Sequence, residues 1–148
     1  MDELIWKGAL FSALLLTAAV WDIRRREIPD WIPLLIFLTG IPQMNPPDAF
    51  SGFVLTGLPY LLAAVLSYKG EDFFIGGGDI KLMAACGFVL GVWGGILQSI
   101  AALTLFLAVG ICVYRGTKKL NTVTLPLAPF FCAGGIFSYC ALLFSATI

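Results

Sequence analysis

The sequence contains no histidine. That removes the Ser-His-Asp triad, the Cys-His pair and imidazole-ligated metal centres. Its four cysteines, Cys86, Cys112, Cys132 and Cys140, form no C-x-x-C pair, so zinc-finger and dithiol spacings are missing too. Each lies in or beside an apolar run and reads as a small buried hydrophobe. Charge is scarce: 12% of the residues are charged and 59% hydrophobic, with a mean hydropathy of +0.95. A soluble domain carries about 25% charged residues, so this chain belongs in lipid. There is no internal repeat, no low-complexity tract and no G-x-x-x-x-G-K-[ST] phosphate loop. Nothing points to nucleic acid, and neither a cofactor nor a metal is expected.

What is present is a series of apolar runs. Met1-Asp2-Glu3 is an acidic start, unlike the basic opening of a secretory signal peptide, so the first run is expected to stay as a transmembrane helix. Spans are expected at about residues 4–21, 31–44, 49–68 and 80–90, then from the turn at 91–95 to 114, and at 125–146. Breakers separate them: the charged run 22–27, Asn45-Pro46-Pro47-Asp48, a glycine-rich polar loop at 69–78, a tight turn at 91–95 and a basic loop at 115–119. The expectation is an all-α polytopic membrane helix bundle of about six helices, one transmembrane domain covering 1–148. The second span is short and carries Pro33, and the third carries Pro59. Eight of the nine Lys and Arg fall after spans one, three and five: Arg24, Arg25, Arg26, Lys69, Lys81, Arg115, Lys118 and Lys119; the ninth is Lys7. The positive-inside rule puts those loops in the cytosol and both termini outside. Arg24 to Arg26 either only orient the first helix or also hold anionic lipid or substrate.

Two carboxylates stand out. Asp22 ends the first span, and Asp79 follows Gly76-Gly77-Gly78 where the chain re-enters apolar sequence. Ionisable groups at a membrane edge are costly, and each is a functional-site hypothesis by default. The topology puts both on the cytosolic side. Two carboxylates sharing a site hold one proton between them, and such a pair can activate water with one member while protonating a departing amide with the other. The pair titrates as a unit, so neither Asp receives a fixed role from sequence. Gly76, Gly77 and Gly78 leave room for an extended substrate backbone beside Asp79. Lys81 either tunes the pair or stabilises an oxyanion, or it snorkels to the interface. Asp30 reads as a helix N-terminal charge, Glu27, Glu71 and Asp72 as solvated loop residues, and Asp2 and Asp48 as outer-side groups. Ser67 beside Lys69 is the nearest approach to a Ser–Lys dyad.

At these residues the chain resembles the type IV prepilin peptidases, membrane aspartic peptidases of the Gly-x-Gly-Asp class. Gly76-Gly77-Gly78-Asp79-Ile80-Lys81-Leu82 is similar to the family's G-x-G-D-x-K-L segment. Asp22-Ile23-Arg24-Arg25-Arg26-Glu27-Ile28-Pro29-Asp30 resembles its other motif, an Asp followed by a short polar loop and Ile-Pro-Asn or Ile-Pro-Asp. Leu125-Pro126-Leu127-Ala128-Pro129-Phe130 is similar to the start of its last helix. The resemblance implies that Asp22 and Asp79 are the catalytic pair. It also implies cleavage of the basic leader from prepilin-like proteins, at the cytosolic face of a prokaryotic inner membrane. Larger members carry a cytosolic insertion with paired cysteines and methylate the new N-terminus. The 22–29 segment is too short for that insertion, so the chain resembles the minimal, peptidase-only form of tight-adherence (Flp) pilus systems. Preflagellin or presenilin-like proteolysis stays open within the class. Outside it, the alternatives are a non-catalytic membrane subunit or a small proton-coupled transporter. The oligomeric state and the particular prepilin are not legible.

Overall fold

Long apolar runs in lipid satisfy their backbone groups by folding as helices. The computed structural model describes residues 2–42, 45–66, 75–117 and 125–147. The regular elements among them are α1 (Asp2–Arg25), α2 (Trp31–Gly40), α3 (Pro46–Leu66), α4 (Gly77–Thr117) and α5 (Ala128–Thr147). Ser67, Lys69, Glu71, Asp72, Lys118 and Lys119 lie outside the described residues. Four helices, α1, α3, α4 and α5, are long and apolar enough to cross a bilayer. Leu10, Leu16, Phe50, Leu62, Leu107 and Phe144 stand open on their outer faces, a surface suited to acyl chains rather than water.

The helix ends correct several expectations. α1 runs to Arg25, so Asp22 and the first arginines are helical and not part of a loop. It stops at Arg26, whose φ of 55 and N–H bond to the Asp22 carbonyl (2.8 Å) form the left-handed cap usually given to glycine. α2 ends at Gly40. Its ten residues rise about 15 Å at 1.5 Å each, half of a ~30 Å hydrocarbon core. α3 begins at Pro46, inside the expected breaker, because proline suits a first helical turn where its missing N–H has no intrahelical partner to lose. It continues through Pro59.

The turn expected over 91–95 is concentrated in one residue, Gly91, with φ 69 and ψ −172 inside α4. Eight residues of straight helix would separate Gly87 from Gly95 by about 12 Å. Instead, a Cβ built on Gly95 would lie 3.3 Å from the Gly87 Cα. The two halves of α4 therefore fold back side by side. Asp48 secures the reversal: its Oδ1 accepts a hydrogen bond from the Val92 N–H at 3.2 Å, satisfying an amide left orphaned at the start of the second half. Loss of a helix cap costs about 1 kcal/mol. Asp48→Ala is accordingly expected to lower stability by about that amount in detergent unfolding; an unchanged midpoint would mean that the cap contributes nothing.

Small residues set the helix spacing, as is usual between membrane helices. Gly52 meets Gly87, Gly57 meets Ala84, and the Thr56 hydroxyl donates to the Met83 carbonyl at 2.9 Å. α3 thus runs antiparallel to the first half of α4. On the other side, Gln98 Nε2 donates to the Phe131 carbonyl (3.1 Å) and Ser138 Oγ to the Gly94 carbonyl (2.6 Å). The Tyr139 hydroxyl donates to the Leu4 carbonyl at 2.7 Å and ties α5 to α1. This register gathers the C-terminal end of α1 and the N-terminal ends of α4 and α5 at one end of the bundle. The first turn of α1 and the last turns of α5 lie at the other. Phe11, Leu15, Ile32, Ile36, Leu82, Met83 and Phe131 fill the core. Only two of the four cysteines join it: Cys86 and Cys132 are buried, whereas Cys112 and Cys140 are exposed. An apolar outer face accepts a thiol as readily as a core does.

Candidate active site

Asp22, in the last turn of α1, is 7% exposed. Its Oδ2 accepts a hydrogen bond from the main-chain N–H of Ala128 at 3.0 Å. Ala128 opens α5 just after Leu125-Pro126-Leu127. The first amides of a helix have no intrahelical acceptor, and its N-terminal end carries partial positive charge. The last helix thus presents a donor to the carboxylate of the first.

Asp79 lies in the first turn of α4. Its N–H donates to the Gly76 carbonyl at 3.1 Å. The three glycines before it are not equivalent, and Gly77 and Gly78 are helical, not part of a loop. At Gly76 a Cβ would sit 3.4 Å from Asp79 Oδ2, so the main chain passes close to the carboxylate. Gly77 faces open space, with nothing within 4 Å of a built Cβ. Gly78 packs on the first motif: a Cβ there would meet Ile28 Cβ at 2.9 Å and the Ile28 carbonyl at 3.1 Å. Among the described residues, the main chain is thus uncrowded at Gly76 and Gly77, while Gly78 serves the contact with Ile28.

The Asp22 carboxylate acts on Asp79 as a nearby like charge. The structure brings these two expected residues together at one end of the bundle. It does not bring Lys81 to them. Lys81 Nζ binds Asp30 Oδ1 at 2.7 Å, with side chains 57% and 74% exposed. A pair so open contributes no more than about 1 kcal/mol. Asp30 likewise makes no side-chain cap for α2; its carboxylate is turned to Lys81. With the Ile28–Gly78 contact, this pair clasps the segment after Asp22 onto the segment around Asp79.

The same end is basic and aromatic. Trp21 meets Trp31 edge-on with centroids 6.0 Å apart, and the Arg25 guanidinium lies 5.2 Å over the Trp21 ring. A groove of about 520 Å³ runs along α1 past Leu16, Val20, Trp21 and Arg24. Among the described residues, no group of three or more Cys, Asp or Glu is placed to hold a metal ion.

A helix bundle with apolar outer faces and two interacting carboxylates at one end defines a class, that of polytopic membrane proteins with a site built at the helix ends. Residues 9–145 match the model of the type IV leader peptidase family, and the chain belongs to that family. It is an integral membrane protein. Over 141 residues it is 33% identical to a prepilin leader peptidase/N-methyltransferase of Bacillus subtilis (strain 168), covering 91% of this chain and 55% of that protein. A prepilin leader peptidase/N-methyltransferase of Pectobacterium carotovorum subsp. carotovorum is 31% identical over 144 residues, 90% of this chain and 50% of that protein. The chain spans about half the length of these curated relatives. No solved structure matches it.

Sequence reasoning did not find the Ala128 amide, because a backbone donor carries no residue signature and stands 106 positions from its acceptor. The proline at 126 was the available signal, since it marks where the last helix starts.

Proposed function

We propose that this chain is an aspartic endopeptidase that removes the leader from prepilin-like proteins, acting as a single transmembrane peptidase domain over residues 1–148. The site faces the cytosol at a prokaryotic inner membrane, with about six helical segments and both termini outside. The observation that carries the reading is the meeting of Asp22 and Asp79 from separate helices at one end of the bundle. Family membership and the names of the curated relatives support the substrate class. The topology draws support from charge placement. Arg24, Arg25, Lys81 and Arg115 belong to the carboxylate end, and Lys7 lies towards the other, near the Pro42 carbonyl.

In this reading one carboxyl group of the pair draws a proton from water as the water oxygen attacks the scissile carbonyl. The other delivers a proton to the departing amine. The two titrate together, and the roles belong to the pair. Peptidase activity alone is proposed. The turn between Asp22 and Pro29 has no room for the insertion that the resemblance associates with methyl transfer.

The test is cleavage of a purified type IV prepilin by the detergent-solubilised protein. A shortened product with no proton gradient present is the expected result. No product, together with proton flux through the same protein in vesicles, would replace the peptidase reading with transport.

A further inference from the structure

Two buried polar atoms close to the carboxyl pair lack hydrogen-bond partners among the described residues: Asp79 Oδ1 and the Tyr60 hydroxyl. Tyr60 lies on α3 and is 7% exposed. The helix register puts the two side chains at the same level. Gly52 meets Gly87, Thr56 bonds to Met83 and Gly57 meets Ala84, so one turn further along α3 Tyr60 comes level with the first turn of α4. The Asp79 charge acts on the Tyr60 phenol, and the Ser99 side chain stands close by it. Phe131 holds the Tyr60 ring edge-on at 5.4 Å and 87°. Asp79 Oδ2, by contrast, has the main chain of Gly76 beside it.

Buried polar groups in folded proteins are almost always hydrogen-bonded, to protein or to ordered water. A carboxylate oxygen and a phenol hydroxyl that share a level and lack hydrogen-bond partners among the described residues form the two sides of a water site. Resting on the peptidase reading above, we infer that the Tyr60 hydroxyl and Asp79 Oδ1 together hold the water consumed in hydrolysis, which makes Tyr60 a further catalytic residue. The water oxygen bonds to the scissile carbonyl carbon and the carbon–nitrogen bond breaks. One water proton passes to the carboxyl pair and the pair gives one proton to the leaving nitrogen. One water is used and the pair ends as it began. Tyr60 remains a neutral phenol throughout and sets the direction of attack.

Tyr60→Phe is the test, because it keeps the ring and its contact with Phe131 and removes only the hydroxyl. Loss of one positioned hydrogen bond at a reacting centre lowers turnover by about 10²-fold. The expected result is a kcat lowered to that extent on a purified type IV prepilin, with KM within about twofold of the parent and an undiminished unfolding midpoint. Parental kcat would overturn the inference, most clearly with a raised unfolding midpoint. That combination would mark the hydroxyl as an unsatisfied group whose removal only relieves a burial cost. A raised KM at parental kcat would also overturn it, placing Tyr60 in substrate binding alone. Asp22→Asn and Asp79→Asn are assayed alongside. If they are inactive while Tyr60→Phe turns over normally, the Tyr60 inference alone falls. If they still cleave, the two-carboxylate reading falls and takes the water site with it.

Discussion

Asp79→Asn and Asp22→Asn are each expected to lower kcat for prepilin cleavage by about 10³-fold or more, the scale set by loss of a positioned acid or base. The substitutions separate charge from architecture. At position 22 an amide oxygen still accepts the Ala128 N–H, so the junction between α1 and α5 is preserved while the carboxyl function is lost. At position 79 the side chain keeps its size beside Gly76, and the start of α4 still rests on main-chain bonds to the Gly76 carbonyl. Because the pair works as a unit, the double variant is expected to be no slower than the slower single one. Multiplied losses in the double variant would show two independent contributions and remove the shared-proton mechanism. Unfolding midpoints near that of the parent are the accompanying control.

The largest effect on stability is expected at Gly87, far from the carboxylates. A Cβ there would collide with the Thr56 hydroxyl and the Gly52 carbonyl, and would lie 2.9 Å from the Gly52 carbonyl carbon. Two of the three obstacles are backbone, which no rotamer change can clear. The third is the hydroxyl that joins α3 to Met83. Gly87→Val therefore forces α3 away from α4 and opens the contact that levels Tyr60 with Asp79. Overpacking of a tight interior costs about 1–3 kcal/mol, and with the lost hydrogen bond the total is expected at the top of that range or above it. The readout is the yield of monodisperse protein and its unfolding midpoint in detergent. Gly77→Ala is the comparison, since a Cβ there meets nothing within 4 Å. Equal behaviour of the two variants would mean that the α3–α4 contact does not limit stability.

The parts legible in advance follow from local chemistry. Apolar runs at helix-spanning length announced α1, α3 and α5, and the carboxylates bordering α1 and α4 drew attention to Asp22 and Asp79 as candidates. The reversal in α4 was legible from its glycines, although its confinement to Gly91 was not. What escaped were partnerships between distant residues. Lys81 offered two readings, and its actual partner, Asp30, lies 51 positions away. Asp48 read as an outer-side charge, whereas its work is to cap Val92, 44 positions on. Tyr60 sits in an apolar run where one hydroxyl does not disturb the pattern. Its isolation emerges only when α3 and α4 are set side by side. The short α2 was half visible, through Pro33 and the breaker after it. At its end Gly40 packs closely on α4, where a Cβ would press on the Phe88 ring.

The hydrogen bond from Ala128 to Asp22 also bears on the order of events at the ribosome. Donor and acceptor lie 106 residues apart, and a chain grows at about 5–20 residues per second. Roughly 5 to 20 seconds therefore pass between synthesis of the carboxylate and synthesis of the amide that holds it. During that interval α1 to α4 emerge and insert, while Asp22 waits without its final partner. Two distant parts of the chain meet in one hydrogen bond, so a ribosome that stalls before α5 leaves a membrane-inserted bundle with an unfinished centre.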